Sequence, residues 1–473
     1  MVKTYQDFLA AGADKVSFIR DAIMQWRSSE TYTTAVIADE YDRQRNRTIS
    51  QYTKYLYDSF GRQTEDVYSS NNHIASNFFQ RLNNQRCSYS LSNGVSFPTE
   101  NGKTDTIKDR LGDKFDNDLF TCGYFALIHG VSFGFWNRDK LHCFPVTEFC
   151  PLYDEYTGKL MAGIRFWSLN WEIKPINAVL YEEDGYTEYR TEPGSTGLDL
   201  REYQAKRGYV QKVQRSIADG EEVVGESNYS DLPIVPLFGS KRKQSTLIGM
   251  REAIDSFDLI TSGFADTIMD CAEIYWIIDN AMGMEEADLA KFRDRLKLQH
   301  IVNADDSNSK TTAYTQEIPH AARETYLANI RQQLYQDFGA LDVSQIGAGN
   351  KTATEIEAAY EPMNEEADEF EYQVIEFVQQ ILSLMGLDGV PQFKRSMITN
   401  EKERTEMVMM CAEVLDHKTI VSKLPFITVD EVEDILTRKD EENLTAKADT
   451  DALREAMLNE GAEDEGREPG TET

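Results

Sequence analysis

The sequence predicts an α+β chain, and three observations carry that prediction. Between Gly123 and Phe238, short runs rich in β-branched and aromatic residues alternate with turn residues, the pattern of an antiparallel sheet region. From Leu247 onward the apolar spacing switches to three and four residues, the period of a helix face. With 41% hydrophobic and 27% charged residues over 473 positions, the chain can bury cores in about three compact units, or in one elongated molecule of the same size.

Residues 1 to about 120 read as a mostly helical, polar lead-in, with regular apolar spacing near Ile74, Phe78, Phe79 and Leu82. The β-like runs that follow are YFALIHGVSFGFW, KLHCFPVTEFCPLYD, LMAGIRFWSLNWEI and AVLYEEDGYTEYR. Asp184-Gly185 marks a hairpin within the last of them. Pro233 and Pro236 exclude helix until after Ser240. A helix of five or more turns then carries Ile254, Phe257, Ile260 or Thr261, Phe264 and Ile268 on one stripe.

A small excursion from Cys271 to Pro319 follows, opening with the strand EIYWIID. The next helix shows Leu327, Ile330, Leu334, Phe338 and Leu341, and ends in a loop whose Gly347 and Gly349 permit tight turning. A long helix from about Ala353 to Leu387 keeps one stripe, from Ile356 through Tyr360, Met363, Ala367, Phe370, Val374, Phe377 and Ile381 to Leu384. Pro362 within it predicts a kink. Two short helices close the folded part: ERTEMVMMCAEVL, and a second announced by the capping-box spacing of Thr428-Val429-Asp430-Glu431. The end, LNEGAEDEGREPGTET, is an acidic tail suited to solvation.

Charge and cysteine usage narrow the function. Lys plus Arg number 49 against 81 Asp plus Glu, a formal charge of −32, so a tight grip on a polyanion is not expected. Six cysteines at 87, 122, 143, 150, 271 and 411 lack CxxC spacing and suit reduced thiols rather than a disulfide framework. Neither a secretory signal nor a membrane-spanning run is predicted.

Each chemical motif competes with a plainer reading. GAGNKT at 347–352 fails the phosphate-loop pattern, because Asn350 rather than Gly precedes Lys351 and a helix rather than a strand precedes the loop. A mobile projection between two helices is the better use of it. Cys122, His129, His142, Cys143 and Cys150 lack the paired knuckles of structural zinc. Glu365, Glu366, Asp368, Glu369 and Glu371 surround the apolar stripe of the long helix, and the expectation is that most fan out to solvent or a neighbouring subunit rather than hold the metal of a nuclease. Lys241-Arg242-Lys243 and Lys291, Arg293, Arg295 and Lys297 are basic exceptions on an acidic chain. They suit phosphate, an acidic partner or a plain charged surface. No nucleophile triad signature is present, and no cofactor is expected.

The order of helix, small excursion, helix, Gly-bounded loop, long kinked helix and helical cap resembles the portal proteins of tailed bacteriophages, in particular the portal family with SPP1-type topology. PIVPLFGSKRKQSTLIGMREAIDSFDLITSGFADTI is similar to that family's lead into its first stem helix, with Asp255, Asp258 and Ser262 at characteristic places. GNKTATEIEAAYEPM resembles the segment after the family's tunnel loop, although Lys351-Thr352-Ala353 stands where Ser-Gly-Ala is usual. KTIVSKLPFITVDEVEDILTRKDEE resembles the crown, and GYFALIHGVSFGFW and EFCPLYDEYTGKLMAGIRFW the wing. The likeness covers roughly residues 30 to 445.

The resemblance implies an elongated subunit with a mixed helical and antiparallel-β wing at 1–244. Stem helices at 245–270 and 320–341 flank a small α/β clip at 271–319. A tunnel loop at 342–352 leads to a long kinked helix of the wing at 353–387, then a helical crown at 388–445 and the acidic tail at 446–473. It implies no enzymatic activity and a homo-oligomeric ring, a dodecamer in capsids, at one vertex of the virion, assembled in the host cytoplasm without a membrane. Its implied partners are double-stranded DNA in the channel, the terminase large subunit, major capsid and scaffolding proteins, and head-completion or adaptor proteins. Gln345, Ile346, Gly347, Ala348, Gly349, Asn350 and Lys351 would then face DNA. Lys291, Arg293, Arg295 and Lys297 are the candidates for docking the motor. The competing readings are a minor capsid or adaptor protein and a metal-dependent nuclease.

Overall fold

The structure, a computed structural model, describes residues 2–57, 60–67, 69–97, 106–168, 176–192, 198–216, 220–270, 275–279, 310–314, 320–346, 353–396, 408–410, 416–424, 432 and 435–439. The chain divides into two compact units, one of Met1–Val343 with Tyr360–Ser396 and one of Ser344–Ala359 with Met397–Thr473.

The first unit opens with the helices α1 (Tyr5–Ala11), α2 (Lys15–Arg27), α3 (Glu30–Asp42) and the single turn α4 (Arg47–Ser50). Thr4 caps α1 in a capping box with Asp7, and Asp14 and Ser29 cap the next two through their side-chain oxygens. The helical lead-in is then interrupted. Residues read from sequence as helical form the two-stranded antiparallel hairpin β1 (Tyr55–Tyr57) and β2 (Gln63–Glu65), with Leu56 opposite Thr64. Tyr and Leu in alternation satisfy a strand as well as a helix over so short a run, and the Gly61 turn decides between them.

Helices α5 (Phe78–Leu91), α6 (Thr106–Leu111) and α7 (Phe115–His129) follow. The last corrects a sequence expectation: the first half of YFALIHGVSFGFW is helix, and only Val131–Asn137 is strand β4. A helix buried on most sides reads as a continuous apolar run, which periodicity cannot separate from a buried strand. Gly130 ends the helix at φ +89, a left-handed position that a Cβ disfavours.

The β block holds two main sheets. One is three-stranded in the order β13-β4-β5, with β5 Lys140–Pro145 and β13 Ile234–Phe238. The other is a five-stranded antiparallel meander, β10-β9-β8-β7-β6, built from β6 Phe149–Tyr153, β7 Leu160–Trp167, β8 Asn177–Glu182, β9 Gly185–Thr191 and β10 Leu200–Arg207. The hairpin expected at Asp184-Gly185 exists, with Glu183-Asp184 as its two-residue loop and Gly185 opening β9 opposite Glu182. Strands β11 (Val210–Ser216) and β12 (Gly220–Ser227) make a separate ribbon. One apolar core joins α1 and α2 to the meander, and Trp26 donates its indole N–H to the Val146 carbonyl at 3.1 Å.

Helix α8 (Arg251–Asp270) leads to the antiparallel pair β14 (Tyr275–Asp279) and β15 (Lys310–Tyr314). Helix α9 (His320–Asp337) returns alongside α8, then the turn α10 (Val343–Ile346) precedes α11 (Ala353–Leu384). Helix α11 continues across Pro362, and its predicted stripe is the buried one from Tyr360 to Ile381. It packs on α7 and β4 in a second core through Phe370, Val374, Phe377 and Ile381. Strand β16 (Gln392–Phe393) pairs with β3 (Val95–Ser96).

In the second unit, α12 (His417–Lys423) starts at Asp416, whose carboxylate accepts the Thr419 N–H at 3.1 Å. Of the two short helices expected from sequence, residues 408–410 and 435–439 are helical, while Thr428–Glu431 lie outside the described residues. So does the acidic tail.

Candidate functional site

The helix pair α8 and α9 is the best-defined part of the region that the sequence singles out. The two run antiparallel: Ser256 meets Tyr326 at 3.3 Å, Arg323 donates to Thr267 at 3.0 Å and sits over the Phe264 ring, and Phe264 packs edge-on against His320. The pair β14 and β15 connects their far ends. At the near end Phe78 of α5 wedges between them, edge-on to Phe257 at 5.0 Å and to Tyr335 at 6.4 Å.

Helix α8 is buried along only part of the stripe its sequence predicts: Ile254 is enclosed and Phe257 and Phe264 are half-buried. Its most enclosed face is Ile254, Asp258, Ser262 and Asp266, the last three only 1%, 2% and 3% exposed, whereas Ile268 on the apolar stripe is 49% exposed. Buried carboxylates demand partners, and the segment 72–76 supplies them. Ser76 donates its backbone N–H to Asp258 at 2.9 Å, Ile74 to the Ser262 hydroxyl at 2.9 Å, and Asn72 to Asp266 at 2.7 Å. In an extended segment alternate N–H groups point one way and recur every 6.6 Å or so, while four residues of helix advance about 6 Å. Side chains four apart on α8 therefore serve as the ladder partners of an antiparallel strand.

The ladder is closed from the other side. Asn46 donates its amide to Asp258 and, at 3.1 Å, to the Ser76 carbonyl. Tyr41 donates to Asp255, which also accepts from Thr48 at 2.6 Å. Lys54 lies 2.8 Å from Asp266 and donates to the Ser70 carbonyl at 2.6 Å, which ties the root of the β1–β2 hairpin to the end of α8. Electrostatics differ along the stripe. Burial pushes the Asp258 carboxyl up from the usual carboxylate value, against the Asn46 and Ser76 bonds. Burial also acts upward on Asp266, but Lys54 and the two Asn72 donors outweigh it and hold that carboxyl below the usual value.

A second anchor sits where α9 ends. Arg86 of α5 donates to the Phe338 carbonyl, stacks over the Phe338 ring at 4.1 Å and pairs with Glu366 of α11 at 3.0 Å. Burial holds its guanidinium below the ordinary arginine value. Gln85 donates to the Leu341 carbonyl at 3.0 Å. The turn leading out of α9 is thus fastened at Phe338 and Leu341.

The residues proposed from sequence fall unevenly on this frame. Gln345 and Ile346 belong to the turn α10, while Gly347, Ala348, Gly349, Asn350 and Lys351 lie outside the described residues, as do Lys291, Arg293, Arg295 and Lys297. The carboxylates of α11 are only partly the solvated face expected: Glu366 binds Arg86, Glu369 accepts the Lys241 N–H at 2.8 Å, and Arg395 binds Glu371 at 2.8 Å and Asp368. These pairings clamp chain segments. Among the described residues no cluster of three or more His, Cys, Asp or Glu could hold a metal ion. His129 bonds to Asp39 at 2.8 Å, His142 packs on Phe135, and the Cys122 and Cys150 thiols are buried. No helix among the described residues is long and apolar enough to cross a membrane.

Sequence reasoning placed Asp255, Asp258 and Ser262 by resemblance but missed their partners, Tyr41, Asn46, Thr48, Lys54 and Asn72, some two hundred residues earlier. The available signal was the four-residue repeat of Asp258, Ser262 and Asp266, polar side chains beside an apolar stripe.

A long helix packed on a β block, and an antiparallel helix pair joined through a small β excursion, are the parts of a mixed α and β chain. The family described as phage portal protein, SPP1 Gp6-like, matches residues 35–444, and the chain belongs to that family. It is 21% identical over 430 residues to the portal protein of Clostridium phage phiCD119, covering 83% of this chain and 92% of the relative. It is 22% identical over 422 residues to the portal protein of Bacillus phage SPP1, covering 83% and 80%. Among solved structures it is similar to a chain of the neck of an empty GTA particle computed with C6 symmetry, at 9% identity and a TM-score of 0.42, covering 76% of this chain and 90% of that one.

Proposed function

We propose that this chain is the subunit of a closed ring, a dodecamer in the capsid, that occupies one capsid vertex and passes double-stranded DNA inward during packaging and outward at ejection. The observation that carries the reading is the family match over residues 35–444, a range that takes in the β block, the α8–α9 pair and α11. On this reading α8 and α9 are the stem helices, the segment 271–319 between them is the clip that docks the terminase large subunit and later the head-completion proteins, and 342–352 is the tunnel loop. Residues 1–244 with 353–387 make the wing, which meets the major capsid and scaffolding proteins, and 388–445 the crown.

Net charge supports a conduit. A wall that bound each phosphate would retard sliding, and a chain of −32 offers weak or repulsive contact. The exposed Ile268 and Met269 at the end of α8 offer apolar surface to the adjacent subunit. We assign the chain no catalytic step. Assembly takes place in the host cytoplasm and the ring ends in the virion.

Native mass spectrometry with negative-stain imaging tests the ring: a closed ring of about a dozen chains with a central hole is expected. A compact dimer with a cleft overturns it. Within the ring, Gln345 to Lys351 face the channel. Replacing Lys351 by Glu is expected to alter packaging or DNA retention, and unchanged packaging removes the electrostatic role of that loop.

A further inference from the structure

The β1–β2 hairpin carries a surface that the stem and channel reading does not use. Tyr55, Leu56 and Tyr57 are exposed on both faces of the ribbon, Tyr57 at 70%, and Phe60 at its tip and Val67 at its base are 85% and 74% exposed. A two-stranded hairpin is marginal by itself, yet this one is held at its root. Lys54 binds Asp266 and the Ser70 carbonyl, and Lys54 accepts the Asp66 N–H through its own carbonyl at 3.0 Å. Asn72, next in line, contacts the Met269 sulfur at 3.1 Å, which sets the exposed Ile268 and Met269 beside that root.

We infer that the hairpin is an arm that packs against a second copy of this chain, resting on the ring proposed above. The apolar side chains of the arm, Tyr55, Leu56, Tyr57, Phe60 and Val67, together present roughly 600 Å² over its two faces, beside the exposed polar residues of β2. Clasped on both faces by its neighbour, these side chains bury about 1,200 Å² counting both partners, the lower end for a specific interface. Its chemistry suits that use: copies that each carry −32 repel one another, so the contact that joins them has to come from apolar burial. Tyr and Phe are also the residues that interfaces concentrate. In a closed ring the contact is head-to-tail, arm of one subunit on body of the next, and the Lys54–Asp266 pair links it to the stem helix α8.

The test uses the full chain. Leu56→Ser/Tyr57→Ser lies on an exposed ribbon and is expected to retain the wild-type melting profile by circular dichroism, while ring dissociation, followed by native mass spectrometry on dilution, shifts to a roughly tenfold or greater protein concentration. Independently, a benzophenone amino acid at position 57, in mixed light and heavy isotope-labelled rings, is expected to give adducts between chains. A double variant that holds the ring as tightly as wild type overturns the arm contact, and so do adducts confined to one chain. A wild-type chain that forms no ring under any condition overturns the ring reading itself, a result distinct from either.

Discussion

Gly339 lies against Pro362: a Cβ at Gly339 would stand 3.1 Å from the Pro362 carbonyl oxygen and 2.8 Å from Glu366 Cγ. The end of α9 therefore touches α11 backbone to backbone, one turn before Glu366 reaches Arg86. Gly339 also has φ +64, where a side chain is strained in any surroundings. Gly339→Ala is expected to destabilise the chain by about 1–3 kcal/mol, read as a lower urea midpoint at unchanged slope. A midpoint equal to wild type would show that α9 and α11 part here at no cost.

Arg86 is the cation of the same junction. Arg86→Met removes its bonds to Phe338 and leaves Glu366, which is more exposed, to solvent. A loss of about 2–4 kcal/mol is expected, larger than for Glu366→Gln, because the buried partner also stacks on Phe338. Comparing both single variants with the double variant isolates the pair, and full additivity would deny the coupling.

Asp258, itself 1% exposed, accepts from two donors, the Ser76 N–H and the Asn46 amide. Asp258→Ala leaves the Ser76 N–H and the Asn46 amide short of an acceptor inside the protein, with an expected loss of about 2–3 kcal/mol in thermal unfolding. Hydrogen exchange at Ser76 is expected to accelerate while the exchange of β4 stays slow.

Asp266 supplies a pH dependence. Its carboxyl is held below its ordinary value in the folded chain, so the unfolded chain binds the proton first as pH falls. The stability it contributes is fully present above the ordinary carboxylate pKa and is lost as pH drops through the lower folded value. Asp258 acts oppositely, since its raised value means that protonation of the folded state is easier. Melting temperatures from pH 7 to pH 3 for wild type and Asp266→Asn are expected to converge at the acid end. Parallel curves would rule out the Lys54–Asp266 link as the source.

Much of this architecture is legible from periodicity. The α11 stripe from Tyr360 to Ile381 reads correctly because the same residues that repeat at helical spacing are the ones buried. The β8–β9 hairpin reads correctly because Asp184-Gly185 marks its turn, while β10, β11 and β12 fall outside the runs singled out from sequence. Periodicity fails at α7, where burial on most sides erases the polar face that distinguishes a helix from a strand. It fails again at the β1–β2 arm, where three exposed residues of alternating character hold no period at all.

The sequence by itself determined the class of the chain: its charge, its run of a β block between helices, its long helix through Pro362, and an order of segments similar to portal proteins. All of these follow from local composition and spacing. Only the tertiary structure decided which face of α8 is inside. Sequence ranks Ile254, Phe257, Ile260 or Thr261, Phe264 and Ile268 as the stripe to bury, and Ile254 is buried, but a carboxylate can also be enclosed once donors meet it, and the donors at Tyr41, Asn46, Lys54 and the backbone of 72–76 arrive from a segment about two hundred residues away. That pairing is a long-range event which no local pattern encodes.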